Sequence, residues 1–243
     1  MTSTDKEFTL KDTARLLSYL KKDKAPAAET VKAGLSPQMA ALRAWQTQRL
    51  ARTYAEFKNH PQYSALYRFF LEDIYAPKDF SRRNLDGERL YRFLRRFFSS
   101  QALHAMTLTL ELNDLTEQLD SDLLTVLVTQ FDFGDALTET MYAKAYRLCD
   151  NYADREKQIE LIVAVVERVD RFARMPFVAP GLRLARGPAK QAGLSELQGF
   201  FERGLLALKK ARNIDPFLKT VEQRERRILK NIFTEAPEPL INL

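Results

Sequence analysis

Two carboxylates that could carry proton-transfer chemistry stand side by side at Glu72 and Asp73, inside the run FFLEDIYAPKDFSRR at residues 69–83, and a third, Asp79, follows the proline. Carboxylates alone can serve as acid and base, and such pairs have no fixed spacing in a sequence. On a wheel of 3.6 residues per turn, Tyr63, Leu66, Tyr67, Phe70 and Ile74 share one face. Leu71 and Tyr75 widen it, and Phe69 lies well round on the other side. Glu72 falls opposite that face, four residues after Arg68, which predicts an intrahelical ion pair. Asp73 flanks the face and has no such account. Asp73 and Asp79 are therefore the candidate polar groups at the rim of a pocket lined by Tyr67, Phe70 and Tyr75. The plainer reading of an aromatic stripe at helical spacing is core.

Other chemistry is sparse. Glu111, Asp114, Glu117 and Asp120 are spaced by three, and each such step turns a helix by about 60°, so the four sweep half the circumference and do not converge on one metal ion. Di-iron bundles need Glu-x-x-His on two helices, but Phe57 and Gln101 stand three before His60 and His104. HExxH and paired CxxC are absent, and His104 reads as a packed or capped helix histidine. GxxxxGK[ST], GxGxxG and GxSxG are missing too. No metal and no cofactor is predicted, and with no catalytic motif the sequence leans away from an enzyme.

The elements that must position these residues are helical. Apolar residues recur at three and four along every long segment, and only eight glycines occur in 243 residues. Ser36-Pro37 pairs a capping residue with a proline suited to a first turn, opening a helix that runs unbroken to Pro61. Ser195-x-x-Gln198 and Thr4-x-x-Glu7 match the capping box. Further helices are expected near residues 9–22, 62–76, 86–99, 101–131, 136–150, 155–176 and 216–233. The fold class is all-α, a single globular bundle of eight or nine helices over 1–243. Residues 175–193, with three prolines and three glycines, form an irregular connection before the carboxy-terminal helices. The lone Cys149, in YRLCDN at a helix end, excludes an internal disulfide and fits a reducing compartment. The longest aliphatic run is Leu161–Val166 and the amino terminus has no apolar leader, so neither a membrane span nor a secretion signal is predicted. The expected location is the cytoplasm.

Charge is segregated along the chain. Between Arg96 and Lys144 there are eight acids and no base, and from Arg171 to Lys230 fourteen bases face five acids. The net charge of +6 conceals two opposed blocks, expected to lie against each other within the fold or across a subunit interface. The helix GERLYRFLRRFF gathers Leu90, Phe93, Leu94 and Phe97 on one arc and Arg89, Arg92, Arg95 and Arg96 on the other. Such a basic back is ordinarily a solvated face; here Arg89, Arg92 and Arg96 also form a candidate interaction surface. A pI of about 9.3 is compatible with nucleic acid. That partner is not favoured, because no helix-turn-helix glycine turn is present and glutamates interrupt VEQRERRILKNIF.

The runs AWQTQRLARTYAEF, YSALYRFFLEDIYAPKDFSRR, LSELQGFFERGLLALKKA and FLKTVEQRERRIL resemble an uncharacterised helical family of proteobacterial proteins of about this length. The resemblance covers most of the chain. Its most recognisable signature falls on Phe69, Phe70, Asp73, Tyr75, Pro77, Asp79 and Phe80. Where the family often has glycine before the proline, this chain has Ala76, which weakens any requirement for positive φ there. The resemblance implies a self-contained domain and no reaction. Two readings follow: a cytoplasmic helical interaction or regulatory protein that self-associates, with a protein partner or a homodimer, or a small-molecule binder or enzyme with an inter-helix pocket near Asp73 and Asp79.

Overall fold

A computed structural model of the protein describes residues 36–74 and 100–241 apart from 135, 192 and 194, together with residues 14, 16 and 18. Of the helix expected near 9–22 only residues 14, 16 and 18 are described, each helical; the helix expected near 86–99 and the Thr4-x-x-Glu7 pattern lie outside the described residues. The rest is all-α: eight α-helices, with no strand among the described residues.

Helix α1, Pro37–Thr53, starts as the sequence requires, with Ser36 Oγ accepting from the Met39 amide at 3.1 Å and proline at the first position. It does not run unbroken to Pro61. Tyr54 leaves helical geometry at φ −118° and ψ 26°, and a 3-10 turn follows at Ala55–Phe57. The break turns Phe57 into the core, where its ring meets Tyr63 at 5.6 Å and Phe217 at 4.8 Å. Arg224 donates to the freed Thr53 carbonyl at 2.7 Å, closing the helix end. Helix α2, Ser64–Phe69, runs directly into a π-turn at Phe70–Ile74. His60 helps to start α2: its Nδ1 accepts from the Gln62 and Tyr63 amides.

The remaining helices are α3 Ser100–Phe131, α4 Glu139–Leu148, α5 Tyr152–Ala173, α6 Val178–Gln191, α7 Ser195–Ala211 and α8 Asp215–Phe233. Long α3 packs along α5 and α4; α5 also packs on α8 and α7, α7 on α2, and α6 on α7. Helix α6 replaces the irregular connection expected at 175–193. Val178, Leu182, Ala185 and Ala189 are buried at helical spacing, and this stripe outweighs the prolines. Pro180 lies in the first turn, where its missing N–H costs nothing, and Pro188 lies in the last. Gln198 does not spend its amide on a capping box; Nε2 donates to the Leu182 carbonyl and to Glu202.

Two apolar cores result. The first gathers Leu50, Tyr54 and Phe57 with Tyr63, Leu66, Tyr67, Leu208, Phe217 and Leu218. The second gathers Leu42, Leu123, Leu127, Phe133, Tyr142, Ile228 and Ile232. Helices α1 and α8 each contribute to both, entering one core with their first half and the other with their second.

Candidate functional site

Phe69 and Asp73 of the signature close the corner between α2 and α7. The tip of the Phe69 ring abuts Gly204, where an added Cβ would stand 2.8 Å from Cζ, and the ring meets Phe200 at 5.2 Å between centroids. Only glycine lets the two helices approach this closely. Phe70 turns to Phe217 at 5.9 Å. Asp73 is 6% exposed, and its Oδ1 accepts from both Nε and Nη2 of Arg203, at 3.0 and 2.7 Å.

A regular helix would have put Ile74 on the core face and Asp73 beside it. The π-turn, with about 4.4 residues per turn, advances the chain less per residue and exchanges the two: Asp73 turns inward and Ile74 is 44% exposed. The same change of pitch undoes the expected Arg68–Glu72 pair, and Arg68 Nε donates to the Ser64 carbonyl. Tyr75, Pro77, Asp79 and Phe80 of the signature, and Arg89, Arg92 and Arg96 of the expected interaction surface, lie outside the described residues.

A second constellation, not foreseen from the sequence, lies where α1 and α8 pass from one core to the other. Arg49 Nη1 donates to Glu225 Oε1 at 2.6 Å, and the Tyr54 hydroxyl donates to the same oxygen at 2.7 Å. Gln46 Nε2 donates to Asp120 Oδ1 at 3.0 Å, and Arg43 pairs with Asp120 Oδ2 at 3.4 Å. Arg155, 3% exposed, reaches the Leu119 carbonyl at 3.0 Å and lies 4.2 Å above the Tyr146 ring. Tyr146 contacts Tyr142, which stacks on Trp45 at 4.4 Å.

Burial pushes the Tyr142 and Tyr146 hydroxyls up from the usual phenol range, with Arg49 and Arg155 opposing in part. Arg49 is raised: burial disfavours its charge, but Glu225 more than restores it. Burial likewise raises the Cys149 thiol, which donates to the Ala145 carbonyl at the end of α4. The layer thus holds Tyr142 and Tyr146 neutral and Arg49 charged.

The missed residues did leave a signal. Glu225 continues the stripe Leu218, Val221, Ile228, Ile232, and Arg155 the stripe Ile159, Val166, Ala173, each a charge at a core-facing position. Asp120 stands likewise before Leu123 and Leu127.

Among the described residues, Asp120 of α3 pairs with Arg43 of α1 and Glu111 of α3 with Lys157 of α5, both bases lying outside the basic stretch Arg171–Lys230. The basic α8 takes Glu156 and Glu160 of α5 and its own Glu222 through Arg226. Among the described residues no three His, Cys, Asp or Glu side chains cluster as metal ligands would.

A model of a domain of unknown function, DUF8198, matches residues 26–239. The chain belongs to that family. Neither a curated protein nor a solved structure matches it. The DUF8198 match takes in both the Asp73 corner and the polar layer. No helix of the domain, among the described residues, is long and apolar enough to cross a membrane.

Proposed function

We propose that this DUF8198 protein is a cytoplasmic helical interaction or regulatory protein that works by self-association. The observation that carries this is the outer side of the α6–α7 hairpin. Leu184 is 76% exposed and Leu206 68%, and Phe177 is exposed before α6. Burying such side chains is worth about 1.5–3 kcal/mol each, a gain the isolated chain forgoes. Beside them Arg183, Lys190, Lys209 and Lys210 are exposed and, among the described residues, pair with no carboxylate.

The complementary charge lies on α3. Among the described residues, Glu117 and Asp122 have only the amides of Asn113 and Gln118 as hydrogen-bond partners. A second copy setting its acidic α3 against the basic hairpin would satisfy both, in a head-to-tail contact steered by charge. The Asp73 corner favours the alternative of a small-molecule pocket less, because the carboxylate is committed to Arg203.

Sedimentation velocity of the wild type and of Leu184→Glu with Leu206→Glu tests the reading. Assembly that weakens with added salt and is lost in the variant is expected. A monomer at every concentration, or a variant that assembles like the wild type, overturns it.

A further inference from the structure

Four buried side-chain atoms beside the polar layer have no hydrogen-bond partner among the described residues: Arg49 Nε, Arg155 Nε, and Nδ2 and Oδ1 of Asn151. Buried polar atoms are nearly always paired, so a group of orphans in one region requires a cause. Asn151 precedes α5 one turn before Arg155, and its side chain caps nothing. By type, both arginine Nε–H groups and the amide NH2 donate, and only Oδ1 accepts. The orphans are rich in donors, which is the pattern an anion satisfies.

Charge leads to the same place. Arg43 faces Asp120 and Arg49 faces Glu225, but among the described residues Arg155 has no carboxylate within ion-pair distance. Its Nη2 and Nη1 go to neutral oxygens, the Leu119 carbonyl and Gln158 Oε1. Three guanidinium groups thus stand against two carboxylates. The Tyr146 ring offsets part of the cost of the third, and an uncompensated buried charge remains. Arg155 lies over the Tyr146 ring, and the charges of Arg49 and Arg155 both act on the hydroxyls of Tyr142 and Tyr146.

We propose that Arg155, with Asn151 and Arg49, binds a small monovalent anion of halide or one-carbon carboxylate size within this layer. One such ion cancels the excess charge and takes up the free donors. The orphaned atoms are closed to solvent, which limits any occupant to a small ion. The rival neutralising group is Asp122, whose charge is felt at Cys149 beside that of Arg155 and whose Oδ1 accepts from Gln118.

The test is thermal unfolding of the full chain in sodium chloride and in sodium gluconate at matched ionic strength, with crystals grown in sodium bromide. The midpoint is expected to rise with chloride and to saturate as ligand linkage requires, and not to rise with gluconate. Asn151→Leu should weaken the chloride half-saturation by about tenfold or more, the loss of one hydrogen bond to a charged group. Arg155→Met should abolish the response; if that variant does not fold, the Asn151→Leu curve and the bromide map decide. An anomalous peak within hydrogen-bond reach of Arg155 Nε is expected. Equal curves in the two salts, Asn151→Leu behaving as wild type, or a water in place of bromide overturns the proposal. So does a chloride response that arises only in Asp122→Asn, which would make Asp122 the counter-ion.

Discussion

The Asp73 carboxylate is 8% exposed while Arg203 is half in water, and this inequality decides which loss costs more. Arg203→Met leaves a buried carboxylate without its guanidinium and is expected to destabilise by about 2–4 kcal/mol. Asp73→Asn leaves a guanidinium that water can take up, and about 1–2 kcal/mol is expected. Urea titration of both variants checks the order, and a larger loss for Asp73→Asn would refute it. Gly204→Ala is a steric test of the same corner: Phe69 cannot keep its place against a methyl group, and a loss of about 1–3 kcal/mol should appear in the same titration. The residue types of this corner could be read in the sequence as a cluster. Their arrangement could not, because a single π-turn reverses which of Asp73 and Ile74 faces inward, and no composition signal marks that turn.

Helix α6 shows what periodicity conveys and what it hides. Val178, Leu182, Ala185 and Ala189 already formed a helical stripe in the sequence, yet three prolines and three glycines in residues 175–193 masked it. Gly181 sits in the helix with nothing within 4 Å of a built Cβ, so it lowers its stability without serving packing, whereas Gly187 precedes Pro188, whose ring disfavours a Cβ on a helical neighbour. Gly181→Ala is expected to stabilise by about 0.5–1 kcal/mol, measured as a rise in the urea midpoint at unchanged slope. The hairpin that α6 makes with α7 also carries a pH signature. The Arg186 fork, then Gln198, holds the Glu202 carboxyl below its usual range. A lowered carboxyl contributes stability above its unfolded value of about 4.3, which is lost as pH falls through the folded one. Glu202→Gln should therefore flatten the pH dependence of stability below about pH 4. Helix positions elsewhere followed from the stripe and cap signals, as at Ser36 and α1, whereas the end of α1 depended on Tyr54 and Phe57 finding partners on α8.

Across the whole molecule, two apolar cores are joined by helices that carry charge through the junction. All-α character was legible from spacing alone; the layer was not, because charges summed by block conceal single charges set in apolar stripes. Tyr142 and Tyr146 give the layer an alkaline signature. A phenol whose folded value exceeds its unfolded one of about 10 contributes stability below that pH and loses it as pH rises, so both should ionise only as the protein unfolds, seen as tyrosinate absorbance tracking loss of helix. The most direct test of the junction itself is a double-mutant cycle on Arg49→Met and Glu225→Leu in urea. Each single change leaves one buried charge without its partner and should cost about 3–5 kcal/mol, and the double variant should cost less than their sum by about 2 kcal/mol or more. Additive losses, within about 0.5 kcal/mol, would show that Arg49 and Glu225 do not tie the two cores together.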